Sequence, residues 1–339
     1  MRLGFPVKVL GQPGLKSNDS RRWQSGPHLR VSIGYLLEIF SYLEKRNISM
    51  YRMSSDIAPY ATHPDLPQFH KQISECGPEL RHLGSEARRR GLRLSMHPSQ
   101  FVVINSPDPD LRRKSIWDLE SQAEILDAME LGPEAVLIIH AGGSYGDQQA
   151  SIERWVHSYE TLPAAVKRRL VLENDDTRFS AANVLWAHDR TGVPLIFDLQ
   201  HYWCLNPENL PLRPTFERFI RSWPVGVRPK MHFSSPRTEM RQVERTNRKT
   251  GKKETVLQAP IWTGHADFNH PFEFVAFLRQ VADLEFDVML EAKAKDLALI
   301  RLRQDLLRYA PDMASRFGLI AETLIPEPEL EIPPEALTA

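Results

Sequence analysis

At 339 residues and 39.0 kDa the chain exceeds the usual single-domain size, yet α/β barrels reach this length as one unit, so one large domain is expected. Hydrophobic residues make up 42% and no run of about 18 apolar residues occurs, which excludes a helical membrane span. The start, MRLGFPVKVL, lacks the long apolar core of a signal peptide, so the expectation is a soluble, cytoplasmic protein. Net charge is zero, and the two cysteines, Cys76 and Cys204, lie far apart; neither a disulfide framework nor a zinc–thiolate site is suggested, and for nucleic acid the relevant quantity is local charge.

Short apolar runs ending in polar residues recur along the chain at Arg2 to Phe5, Ser49 to Met53, Leu92 to Met96, Val136 to His140, Leu170 to Glu173, Leu195 to Asp198, Pro229 to Phe233 and Phe286 to Glu291. Between them stand helical patterns at Ile33 to Arg46, Gly77 to Arg90, Arg112 to Glu130, Ile152 to Leu162, Ala181 to His188, Thr215 to Ser222 and Pro271 to Ala282. Eight strands alternating with helices predict a closed TIM (β/α)8 barrel in a single domain over 1–315, because parallel strands need crossover connections. An open doubly wound sheet competes, but neither GxGxxG nor GxxxxGK[ST] follows the first strand. From Pro326 the tail is rich in Pro and Glu, so 316–339 is expected to be a C-terminal extension.

The chemistry-bearing residues fall at the C-terminal ends of these runs. His97 follows the third, His140 ends the fourth, Glu173 the fifth and Asp198 the sixth, with His201 three residues on. Lys230 and His232 lie in the seventh, Glu291 closes the eighth, and His265 and Asp267 sit in GHADF between those two. Every βα end of a barrel opens on one face, so these groups are predicted to converge there. Five histidines and three carboxylates exceed the ligand number of one ion, which predicts two or three divalent ions; imidazole mixed with hard oxygen and no thiolate favours Mn²⁺, then Zn²⁺, over Mg²⁺. His28, His70, His82, His157, His188 and His270 are read as ordinary structural histidines. Alternation puts Lys230 and His232 on one side of their strand, and a bare ammonium there would repel the ions. The lysine is therefore either neutral or carries a CO₂ adduct, a carbamate.

The strings SSDIAPYATHP, HPSQFVVINSP, LIIHAGG, LENDD, FDLQH, KMHFSSPR, GHADF and MLEAKAKD resemble the UV damage endonuclease family from Arg2 to about Ala310. The resemblance implies hydrolysis of the phosphodiester immediately 5′ to cyclobutane dimers and 6-4 photoproducts in double-stranded DNA. It implies His97, His140, Glu173, Asp198, His201, His232, His265 and Glu291 as metal ligands, and Lys230 as the match of a carboxylated lysine. Glu173, Lys230 and His232 are the expected catalytic residues, Glu173 orienting the attacking water. Gln100 and Phe101 match a pair, usually Gln then Tyr, that probes the duplex while the damaged dinucleotide is flipped out; Phe101 keeps the stacking surface and loses the hydroxyl. Phe5, His63 and Asp267 are the further expected substrate contacts, although the family tends to show Tyr and Asn where this chain has Phe5 and Val9. The cation-rich connection from Arg237 to Lys253 is a candidate to follow the DNA backbone. A monomer is expected, so that a bent duplex can reach the barrel mouth. Two rival readings share the barrel: an endonuclease IV-type enzyme acting at abasic sites, and a sugar isomerase of the xylose isomerase type.

Overall fold

A computed structural model describes residues 1–247 and 250–320. Arg248, Lys249 and the tail from 321 onward lie outside the described residues, and with them most of the expected extension. Leu319 is buried in the main core, and the Arg316 carbonyl accepts a hydrogen bond from the Met1 amino group at 3.0 Å, so the packed chain continues past 315.

Eight parallel strands close into a barrel in the order β1-β12-β7-β6-β5-β4-β3-β2. They are β1 (Leu3–Pro6), β2 (Met50–Met53), β3 (Arg93–Met96), β4 (Val136–His140), β5 (Leu170–Glu173), β6 (Leu195–Asp198), β7 (Lys230–Phe233) and β12 (Asp287–Leu290). Each predicted strand exists, within a residue of its expected bounds. Four further strands, β8 (Pro236–Arg237), β9 (Arg241–Thr246), β10 (Lys253–Gln258) and β11 (Ile261–His265), fall between β7 and β12.

The crossovers are α1 (Leu29–Lys45), α2 (Gln72–Glu75), α3 (Gly77–Arg89), α4 (Pro109–Ala128), α5 (Gln148–Thr161), α6 (Ala164–Lys167), α7 (Ala181–Thr191), α8 (Leu199–Cys204), α9 (Leu212–Arg221) and α10 (Pro271–Gln280). α11 (Lys295–Tyr309) and α12 (Pro311–Ser315) complete the ring; α11 was not among the expected helices. Local chemistry sets the helix starts: the Asp108 carboxylate accepts from the backbone of Asp110, that of Asp147 from Ala150, and Ser180 with Asn183 forms a capping box on α7. α7 stops at Gly192, whose φ of 71° suits a residue without Cβ.

The two barrel ends differ in character. At the N-terminal end the fully buried Asp287 accepts from the Arg2 backbone at 2.8 Å and from Arg93 Nη1 at 2.9 Å, an ion pair sealed inside the sheet. Near the opposite end, Asp296 clamps the loop after β1 by accepting from the backbone of Leu10 at 2.7 Å and Gly11 at 2.9 Å and from the Tyr42 hydroxyl at 2.6 Å. Asp296→Ala would leave three donors without their acceptor, and we expect a loss of roughly 2–4 kcal/mol of folding free energy in urea titrations.

Candidate metal centre

The barrel register assembles the centre from residues far apart in sequence. His140 of β4 is level with Glu173 of β5, and Asp198 of β6 is level with His232 of β7. His97 enters from the residue after β3, His201 from the first turn of α8, His265 from the end of β11 and Glu291 from the residue after β12. The result is a line of imidazoles, with ring centroids 5.3 Å apart for His97 and His140, 5.6 Å for His140 and His201, and 6.1 Å for His201 and His265.

Glu173 is the shared centre. It is fully buried; one carboxylate oxygen lies 2.7 Å from His232 Nδ1, and the other lies 3.1 Å from His97 Nε2 and 3.7 Å from His140 Nε2. Burial alone would raise its pKa, but the charges of His232 and His140 and the bonds from His232 and His97 outweigh burial and hold it well below the usual carboxylate range. Two groups of three share it: His97, His140 and Glu173, and Glu173, Asp198 and His232, each with ligand atoms within 4.8 Å of one another. All eight expected ligands are thus brought to one mouth, and a single carboxylate stands between two candidate ion positions.

The donor atoms left over support the fit to cations. Asp198 Oδ2, His140 Nδ1, His232 Nε2 and His265 Nδ1 are buried without a hydrogen-bond partner among the described residues. Buried polar atoms are usually paired, and ligand-type orphans gathered in one cluster could hold a cation. Burial raises Asp198 to about 6 and lowers His265 to about 4, which keeps the imidazole neutral and able to ligate. His201 goes the other way, to about 9: burial opposes its charge, but Asp198 and Glu173 override burial. Glu291 is held well below its ordinary range against the cost of burial, chiefly by Arg52, whose guanidinium bonds directly to it. Arg52 was not flagged in the sequence; an arginine in mid-strand gives no sign of facing the barrel interior.

Lys230 and His232 are both fully buried on β7, and Lys230 Nζ has no hydrogen-bond partner among the described residues. Burial, then Arg93 and Arg52, push its pKa well below the usual lysine value and disfavour the ammonium form.

A cleft of about 560 Å³ opens above the centre. Its wall carries Gln100 and Phe101, the latter 74% exposed at the loop tip, and on other sides Tyr145 and Arg178. Three expected substrate contacts are placed elsewhere. Phe5 is fully buried and packs edge-to-face on Tyr51 at 5.4 Å, so it presents no surface to a ligand; without a hydroxyl to keep wet, the ring gains most from the core. Asp267 pairs with Arg241 and lies outside the cleft wall, holding protein in place of substrate. His63 lines a separate, smaller cavity with Asp56 and Asp118, on the far side of Ser99. Arg178, which the sequence reading passed over, rims the cleft on a loop that the Asp175 carboxylate staples through the backbone of Thr177 at 2.9 Å and Phe179 at 3.0 Å.

A barrel whose strand ends gather imidazoles around shared carboxylates has a mouth whose residues could hold metal ions. The sequence profile of the UV-endonuclease UvdE family matches residues 30–315. The UV DNA damage endonuclease of Bacillus velezensis is 32% identical over 281 residues, covering 82% of this chain and 81% of that one; that of Bacillus pumilus is 33% identical over 269 residues, 77% and 75%. Among solved structures, that of SacUVDE superposes with a TM-score of 0.74 at 28% identity, over 91% of this chain and 98% of the other. A 3-keto-D-glucoside 4-epimerase from E. coli superposes at 0.52 and 13% identity over 90% and 99%, a likeness of fold alone. The chain belongs to the UV-endonuclease UvdE family, a family of DNA repair nucleases. No helix among the described residues is long and apolar enough to cross a membrane.

The raised His201 pKa has a testable consequence in metal-free protein. Because the folded state holds this proton above the unfolded value of 6.5, the stabilisation is complete below about 6.5 and is lost as pH rises through about 9. The stability gap between wild type and His201→Asn, measured by urea titration in chelator, should therefore shrink between pH 6.5 and 9. Adding Mn²⁺ should raise the melting temperature, by the equivalent of about 2.7 kcal/mol at a hundredfold excess over Kd, and Asp198→Asn should reduce that gain.

Proposed function

We propose that this chain is a metal-dependent endodeoxyribonuclease that hydrolyses the phosphodiester immediately 5′ to cyclobutane pyrimidine dimers and 6-4 photoproducts in duplex DNA, acting as a monomer. The observation that carries this reading is the set of unpartnered ligand atoms gathered around buried Glu173, under a cleft rimmed by an exposed Gln100–Phe101 tip. Family membership directs it to UV-damaged DNA.

Two or three divalent ions, Mn²⁺ first and Zn²⁺ or Mg²⁺ after it, fit the eight donors His97, His140, Glu173, Asp198, His201, His232, His265 and Glu291. Bound there, they would supply the Lewis acidity that lowers the pKa of water and offsets phosphate charge. In the reaction the water oxygen bonds to phosphorus, the bond from phosphorus to the 3′-oxygen breaks, and that oxygen takes a proton to leave as a 3′-hydroxyl. Glu173 orients the water, since it is the one carboxylate common to both ligand groups. His232, donating from Nδ1 at 2.7 Å, fixes the rotamer of that carboxylate. Lys230 contributes through its amine, whose charged form burial disfavours: as the free base its nitrogen bonds to the carbon of CO₂, one proton leaves, and the resulting carbamate is an anion that Arg93 and Arg52 would balance. Gln100 and Phe101 enter the duplex at the lesion, where stacking is already weakened.

Three duplexes with Mn²⁺, carrying a thymine dimer, an abasic site or no lesion, test the reading. Incision 5′ to the dimer is expected. Cutting at the abasic site alone would transfer the chain to the endonuclease IV-type reading, and no cutting on any duplex would overturn the nuclease assignment. Glu173→Gln should lower the incision rate at least about 100-fold, and Phe101→Ala should erode the preference for damaged over intact duplex while leaving the fold unchanged. Lys230→Ala should be inactive, with partial recovery by added short-chain carboxylates if the carbamate forms.

A further inference from the structure

Between β7 and β12 the chain leaves the barrel on its catalytic face. Residues 236–265 run out as β8 and β9, turn, and return as β10 and β11, which ends at His265 in the mouth. β9 and β10 pair with each other over six registered positions, from Lys253 opposite Thr246 to Gln258 opposite Arg241, and with no barrel strand.

We propose that the β9–β10 ribbon is a duplex-gripping arm that holds the phosphate backbone of DNA beside the lesion. The inference rests on the DNA substrate proposed above and adds a second contact surface to it. The base of the arm is fixed: Arg241 pairs with Asp267, Arg237 Nη2 donates to Gln258 at 3.2 Å, and Gln200 Nε2 donates to the carbonyls of Trp262 at 3.0 Å and Gly264 at 3.1 Å. Beyond that base the ribbon stands exposed, from Glu244 to Thr246 on β9 and from Lys253 to Thr255 on β10.

Charge selects the partner. In a chain of zero net charge, 236–262 carries seven Lys and Arg against three Glu. Two of those glutamates are already engaged inside the ribbon, Glu244 by Lys253 at 3.1 Å and Glu254 by Asn247 at 2.8 Å. Arg245 and Lys252 are exposed, and neither side chain has an ion-pair partner among the described residues. Six residues of strand reach about 20 Å, the rise of roughly six base pairs, and a two-stranded ribbon fits the width of a major groove. An anionic, elongated polymer entering the mouth meets this arm alongside the barrel, and duplex DNA has that form.

The double substitution R245A/K252A tests the arm, because both side chains are exposed and neither belongs to the metal centre. Affinity for a dimer-containing duplex is measured against salt concentration, with incision kinetics and melting temperature in parallel. We expect the slope of log affinity on log salt to fall in magnitude by about two, KM to rise roughly five- to tenfold, and kcat and melting temperature to hold. R245K/K252R, which keeps the charges, should restore the slope. An unchanged slope with normal incision by the unaltered chain would overturn the arm alone and leave Leu257 and Trp262 to a protein partner. Failure of the unaltered chain to incise would overturn the DNA reading and the arm with it.

Discussion

A carboxylate buried without water must be matched by positive charge or give up its own, and Glu173 is such a group at the top of the barrel. Its two oxygens are approached by four of the five histidines of the centre, counting His201 at 3.8 Å. In the absence of cations, imidazoles supply the matching charge, and repulsion among them limits how many can be protonated at once. The same site with divalent ions would need no imidazolium, which is why the unshared ring nitrogens point to cation binding. The geometry of the mouth follows from this requirement.

The barrel divides its duties by height. At the N-terminal end Arg93 and Asp287 form a buried pair whose carboxylate is satisfied on both oxygens, a structural use of charge. Toward the C-terminal end orphaned ligand atoms gather: His232 Nε2, Asp198 Oδ2, His140 Nδ1 and His265 Nδ1. Each unsatisfied buried group costs roughly 1–3 kcal/mol, a cost that bound cations would offset.

The surfaces proposed for substrate recognition extend beyond the centre. One rim carries the exposed Gln100–Phe101 tip, another Arg178 on its stapled loop, and beside them rises the β9–β10 ribbon. Phe5 has withdrawn into the core, so the first loop contributes through the Asp296 clamp and not through an aromatic contact. Asp267, a carboxylate that would repel a phosphate, instead holds the arm.

How much of this was legible before folding follows from the range of the forces involved. Strand–helix alternation and the polar residue closing each apolar run are local patterns, so the eight strands and all eight candidate ligands could be read from the sequence. The β9–β10 ribbon escaped because its residues alternate weakly and bury almost nothing, leaving no apolar period to detect. α11 escaped because its apolar positions follow directly on the MLEAKAKD motif, which drew the reading toward chemistry. Arg52, Phe5 and Asp267 were beyond sequence reasoning, since their roles depend on which side of a closed sheet a side chain faces and which distant group meets it there. The sequence by itself determined the barrel and the kinds of ligand at its strand ends, because period and residue chemistry are properties of short segments. Only the tertiary structure decided that Glu173 is shared by two ligand groups, that Lys230 is fully buried and that a ribbon rises beside the mouth, because those depend on burial and on distances across the closed barrel.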